Sequence, residues 1–198
     1  MSKLRILLHR GAASDAEISA DHQIGFKGDF STGWSTVAAP SAVVPAGKKG
    51  WYELTLVGGS GWSQVGWATS GFLSSATCTR SERVGMCANS WGFGGQWQKK
   101  LHAGTYTEWG TEIEENSTHV IGVAADLETG RLLFSLDGSW GEPMGVAFHG
   151  GVVDTRVPLF PVISGWLGRK VFVNLGQCRM QYGPPNHTFL PLKDVVTK

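Results

Sequence analysis

The side chains that could move a proton, attack a carbonyl or hold a metal are few and scattered in this chain of 198 residues. Six histidines occur without any H-E-x-x-H or H-x-x-x-H spacing, so no pair of imidazoles is set to converge on one ion from a single helix face. No metal site and no cofactor are expected. Cys78, Cys87 and Cys178 include no C-x-x-C pair, and their odd number argues against a disulfide framework. Three thiols fit a reducing, cytoplasmic compartment, with a single Cys78–Cys87 bridge left open. The strained G-x-S-x-G elbow that a common serine hydrolase needs is absent, as is a phosphate-cradling G-x-x-x-x-G-K-[ST] loop; Gly92-Phe93-Gly94-Gly95 reads as a tight turn. Two carboxylates about 5 Å apart would suffice for a retaining glycosidase. The candidates are Glu53, Glu108 and the run Glu112-Ile113-Glu114-Glu115. That run reads as solvated loop charge, and Glu53, within a strand among aromatics, as a structural hydrogen-bond acceptor. The chain is not expected to be an enzyme.

Aromatic and arginine side chains, the usual currency of recognition surfaces, are better supplied. Nine Trp and nine Phe accompany 28 Gly, a glycine share about twice the usual one of about 7%. Many glycines with many aromatics imply short strands joined by tight turns, and exclude both collagen, which needs a strict Gly period, and disorder, which lacks aromatics. The formal charge is +1, from 17 basic and 16 acidic residues, so nothing favours non-specific nucleic-acid binding. Base stacking would need the Trp residues interleaved with basic ones on an exposed face. Instead Trp51, Trp67 and Trp91 fall at strand positions and read as core, while Trp34, Trp62, Trp140 and Trp166 fall in or beside turns. Leu4 to Arg10 is too short and too charged for a secretory signal, and no run approaches 18 apolar residues, so no membrane partner is expected.

The elements that must position these side chains are legible as strands. Trp51 to Leu56 alternates, with Tyr52, Leu54 and Leu56 on one face. Gln64 to Thr69 alternates again. Ser70 to Asn89 is a long loop with few strand signals, and loops of that length in compact domains are usually functional or disordered. Val120–Asp126 and Arg131–Leu136 flank a Gly-containing four-residue turn and predict a hairpin. Gly145–Phe148, Leu159–Ile163 and Val171–Leu175 complete the series, with Pro161 expected at an edge or bulge because it cannot donate to a ladder. Ser14-Asp15-Ala16-Glu17 has capping-box spacing and predicts one or two helical turns in an N-terminal lead-in, residues 1–24. The fold class is all-β, a two-sheet antiparallel β-sandwich over residues 25–192, with a C-terminal tail at 193–198.

Seven segments in order resemble the SPRY (B30.2-like) family. Lys49-Gly50-Trp51-Tyr52-Glu53-Leu54 is similar to its opening G-K-W-Y-x-E-V, one residue shorter before the Glu, and Gln64-Val65-Gly66-Trp67-Ala68 to its V-G-W-A strand. Asn89-Ser90-Trp91-Gly92-Phe93 resembles S-W-G-Y/F-D, with Gly94 where Asp is usual. Asp126 to Gly130 followed by Phe134 to Gly138 resembles D-x-x-x-G-x-x-x-F-x-x-N-G. Gly145-Val146-Ala147-Phe148, Leu159-Phe160-Pro161-Val162 and Val173-Asn174-Leu175-Gly176-Gln177 are similar to G-x-A-F, L-x-P-x-x-S and V-N-F-G-Q. The exit, Tyr182 to Leu192, resembles the closing segment of SPRY domains in ryanodine receptors, Ran-binding-protein-M-like proteins and large ubiquitin ligases.

The resemblance implies a jelly-roll sandwich of the concanavalin A type that binds a protein or peptide through loops at one end, in a substrate-recognition or scaffolding role, as a monomer or as part of a larger chain. Carried over by position, the surface comprises Trp34 to Val44, the loop Ser70 to Met86 and the turn at Trp166–Lys170. The expected contact residues are Phe72, Leu73, Arg80, Arg83, Trp166, Leu167, Arg169 and Lys170. Four of these are basic and predict an acidic ligand held by Arg forks. A lectin-like or glycan-cleaving sandwich, and a purely architectural domain, remain alternatives.

Overall fold

The structure, a computed structural model, describes residues 7–8, 16–19, 21–26, 34–58, 63–74 and 83–195. The strands are β1 (Leu7–Leu8), β2 (Ala16–Ile18), β3 (Gln23–Phe26), β4 (Trp34–Ala38), β5 (Lys49–Val57), β6 (Ser63–Ala68), β7 (Ser90–Gly94), β8 (Lys99–His102), β9 (Thr105–Glu108), β10 (His119–Asp126), β11 (Arg131–Leu136), β12 (Gly145–Phe148), β13 (Phe160–Trp166), β14 (Lys170–Asn174) and β15 (Leu190–Pro191). Two short helices, α1 (Ser70–Ser74) and α2 (Leu192–Val195), interrupt them. Among the described residues one sheet has seven strands in the order β1-β4-β13-β6-β7-β8-β9. The other has eight: β12-β11-β10-β5-β14-β3-β2, with β15 alongside β5. All pairings are antiparallel except β15 with β5. This is the expected two-sheet sandwich.

The main core lies between the sheets. Tyr52, Leu54 and Leu56 of β5 fill it, as their alternation predicts, against Val65, Trp67, Trp91 and Phe93 of the facing sheet. Burying each such side chain stabilises the fold by about 1.5–3 kcal/mol. Tyr52 ties the layers together. Its ring meets Trp67 edge-on at 5.1 Å, and its hydroxyl donates to the Gly66 carbonyl at 2.7 Å. The β10–β11 hairpin is held at its turn by Asp126, which accepts the Glu128 and Thr129 main-chain N–H groups and the Thr129 hydroxyl. Gly130 takes a left-handed φ of 67° there, a conformation glycine adopts without a Cβ penalty.

Both outer faces are also covered. Against the seven-stranded sheet, Ala38, Ala68, Phe160 and Val162 pack with Phe72 of α1 and with Val84 and Cys87 of the following loop. Against the eight-stranded sheet, Trp51 and Ala124 pack with Phe189, flanked by Trp140 and Met180. Glu53 is 3% exposed on that face. Its carboxylate accepts the main-chain N–H groups of Gln181 and Tyr182 at 2.7 and 2.8 Å, the structural role its setting suggests.

Two expectations change. Ala16–Ile18 is a strand paired with β3, not a helical turn; a neighbouring strand supplies the hydrogen bonds that a two-turn helix would have to nucleate alone. β1 and β2 belong to the sheets, and Leu192 and Val195 of α2 are buried. Pro161 lies in β13, between β4 and β6, and not at an edge. Its carbonyl accepts Ala39 N–H just beyond the end of β4, so its missing donor falls where that ladder has already finished. Among the described residues no helix is long and apolar enough to cross a membrane.

Candidate interaction site

Five side chains from separate segments meet at one end of the seven-stranded sheet, on the face turned away from the eight-stranded sheet. Trp34 opens β4 and Trp166 closes β13, and the two are register partners; paired residues on adjacent strands project to the same face. Their rings meet edge-on at 5.7 Å. Trp97 ends a 3-10 turn (Gly95–Trp97) after β7, and its ring is 5.8 Å from that of Trp34. Gly94 permits this turn, because a Cβ there would stand 3.1 Å from the Trp97 ring. The Arg83 guanidinium lies 4.9 Å over Trp34 and 6.0 Å from the Trp97 ring centre. It donates to the Tyr106 hydroxyl at 2.8 Å, and that hydroxyl donates to Met86 Sδ at 3.2 Å. Tyr106, on β9, is 37% exposed. Each cation–π contact of this kind contributes about 0.5–1 kcal/mol when exposed and more when desolvated. The cluster is thus a half-exposed, pre-ordered aromatic surface with one cation in its centre.

Its rim is acidic as well as basic. Arg169 pairs with Glu115 at 3.0 Å, Lys99 with Glu108 at 2.7 Å, and the Gln98 amide donates to Glu112 at 3.4 Å. The expected acidic ligand therefore loses much of its basis, since Arg169 already has a carboxylate and Arg83 is engaged with aromatic rings and a phenol.

The eight expected contact residues fall in different places. Arg83 and Trp166 are in the cluster, and Leu167 is half-buried in the adjoining turn. Phe72 is 1% exposed, and with half-buried Leu73 it belongs to the layer covering the outer face of the sheet. That is a correction: the Phe72 ring is committed to packing and is closed to a partner. Arg169 and Lys170 line a groove of about 560 Å³ with Glu17, Ser19, Gln23 and Phe26. Arg80 lies outside the described residues. Cys87 is disulfide-bonded, so it is not the free thiol of the three-thiol reading, which leaves one bridge open; Cys178 is a free, exposed cysteine among the described residues, and Cys78 lies outside them. Trp97 and Tyr106 are cluster members that strand alternation does not single out. Their signal in the sequence is slight: a Trp two residues after a glycine pair, and a Tyr in a short polar strand.

A second groove, of about 420 Å³, runs between the β8–β9 and β12 edges. It is lined by Lys100, His102, Thr105, Thr107 and His149, with no carboxylate among its described residues. His102 stacks flat on Trp91 at 4.9 Å. Among the described residues no group of three or more His, Cys, Asp or Glu is placed to hold a metal.

Fold and site together are those of a β-sandwich interaction module. The SPRY domain family model matches residues 49–178, and the chain belongs to that family. Among solved structures it is similar to the SPRY domain of human HERC1, at 16% identity and a TM-score of 0.63, over 88% of this chain and all of that one; at that identity the likeness concerns the fold. No curated protein matches the chain significantly.

Proposed function

We propose that the protein binds a protein partner, as a non-catalytic recognition or scaffolding domain, through the aromatic end of its seven-stranded sheet. The observation that carries this reading is the convergence of Trp34, Arg83, Trp97, Tyr106 and Trp166, side chains of the types that dominate binding energy at interfaces. Trp34, Tyr106 and Trp166 are held by their neighbours, so these rings lose little side-chain entropy on association. Leu167 and Arg169 form the rim on this reading, and Phe72 and Leu73 belong to the neighbouring layer packed on the same sheet face. The partner contact is apolar and aromatic at its centre, with polar groups around it.

The test compares proteins recovered by proximity labelling in cells with the wild type and with a Trp34→Ala/Trp166→Ala variant, after circular dichroism shows that both are folded. Specific partners should be retained by the wild type and lost by the variant. A partner set unchanged by the variant would sink this reading. A glycan array that lights up through the wild type, with quenching of Trp fluorescence by the same sugar, would transfer the assignment to a lectin.

A further inference from the structure

Gln64 is fully buried, and neither its side-chain oxygen nor its nitrogen has a hydrogen-bond partner. Buried amides are nearly always paired, because an unmade bond leaves the full desolvation cost standing. The Trp51, Trp67 and Trp91 indoles are also unpaired, but each is a single donor on a large apolar ring within a packed cluster. Gln64 instead carries a donor and an acceptor together.

Its position is fixed by register. Gln64 pairs with Ser164 on one side and Gly94 on the other, so it shares their face. The Ser164 hydroxyl lies 2.7 Å from that of Thr36 and accepts the Val84 main-chain N–H at 3.0 Å; Val84 belongs to the layer outside the seven-stranded sheet, so this face points outward. The Trp97 ring stands over Gly94, and Trp34 and Trp166 lie two residues along on the same face. Arg83 touches both Trp34 and Trp97, whose backbones flank the outer two of four consecutive strands, β4, β13, β6 and β7. The guanidinium must therefore pass over β13 and β6, the strand that carries Gln64. The orphaned carboxamide lies under the aromatic roof.

We propose that Gln64 is a specificity residue of this surface, and that it pairs with one main-chain amide group of an extended peptide from the partner once Arg83 and Trp97 swing aside. The inference rests on the reading of the aromatic end as the binding surface. A carboxamide offers one N–H donor and one C=O acceptor, and a peptide group offers the complementary pair, so one bound peptide unit satisfies both atoms. A carboxylate or a cation would satisfy only one of them. The ring and cation contacts that join Trp34, Arg83, Trp97 and Trp166 are between side chains, so Arg83 and Trp97 can move without breaking the strand ladders.

The test selects phage-displayed random dodecapeptides on the immobilised full chain and measures the recovered peptides by calorimetry against wild type, Gln64→Leu and Trp166→Ala. Affinity should fall about tenfold or more in Gln64→Leu, while the melting temperature of that variant stays level or rises because a buried unpaired amide has been removed. A scan of N-methylated peptide bonds should find one position where methylation abolishes the advantage of wild type over Gln64→Leu. Peptides that need Trp166 but bind Gln64→Leu as tightly as wild type would overturn this inference and leave the surface standing. Peptides indifferent to both variants would overturn both. Recovery of no peptide, or a crystal structure in which a water bridges Gln64 in both free and peptide-bound chain, would overturn the role given to Gln64.

Discussion

Glu53 is a carboxylate inside a strand, with both oxygens committed to main-chain N–H groups of a distant segment. Burial lifts its pKa above the ordinary value of 4.5, and the two N–H groups only partly oppose that shift. The folded state therefore holds the proton more tightly than the unfolded one. The associated stability is fully present below about pH 4.5 and is lost as pH rises through the higher folded value. Glu53→Gln removes this titration and leaves one amide oxygen for two donors, so it should cost about 1–3 kcal/mol. Urea unfolding at pH 4, 5.5 and 7 should show the advantage of wild type over Glu53→Gln shrinking as pH rises; a widening gap would contradict the assignment.

At the scale of elements, the close approach of β6 and β7 depends on glycine. A Cβ on Gly66 would stand 1.9 Å from the Trp91 carbonyl oxygen and 2.9 Å from the Gly92 Cα, and backbone cannot step aside as a flexible side chain can. Gly66→Ala should therefore destabilise by about 3 kcal/mol or more. Gly25 of β3 has no atom within 4 Å of the same probe position, and Gly25→Ala should change stability by less than about 0.5 kcal/mol. Thermal melts of the two variants side by side decide this; equal effects would mean that glycine content matters only as chain flexibility.

For the whole molecule, the sandwich has four packed surfaces and not two. The C-terminal segment covers the eight-stranded sheet with Phe189, while Leu192 and Val195 close over Gly50. Removing residues 187–198 exposes what these three side chains bury. At about 1.5–3 kcal/mol each, that loss approaches a typical domain's whole stability of about 5–15 kcal/mol. The truncated chain should lose its cooperative melt or precipitate. A melt within about two degrees of the full chain would show that the segment is an appendage.

The sequence by itself determined the strand series, because alternation and turn chemistry are local: Tyr52, Leu54 and Leu56 share a face as read, and the Asp126–Gly130 turn closes the hairpin it predicts. It determined the family as well, through seven ordered motifs, and its expected surface segments contain three members of the aromatic cluster, Trp34, Arg83 and Trp166. Only the tertiary structure decided which rings meet. Trp34, Trp97 and Trp166 lie on segments far apart in the chain, and their convergence follows from strand order and register, which no local period encodes. The same holds for Phe72. A Phe in a long loop reads as exposed until the loop is seen folded over a sheet face, and Arg169 reads as a free cation until Glu115, 54 residues away, is found beside it. Gln64 is the sharpest case: in sequence it is a polar position in an alternating strand, and only the layer packed over that strand turns it into a buried amide without a partner.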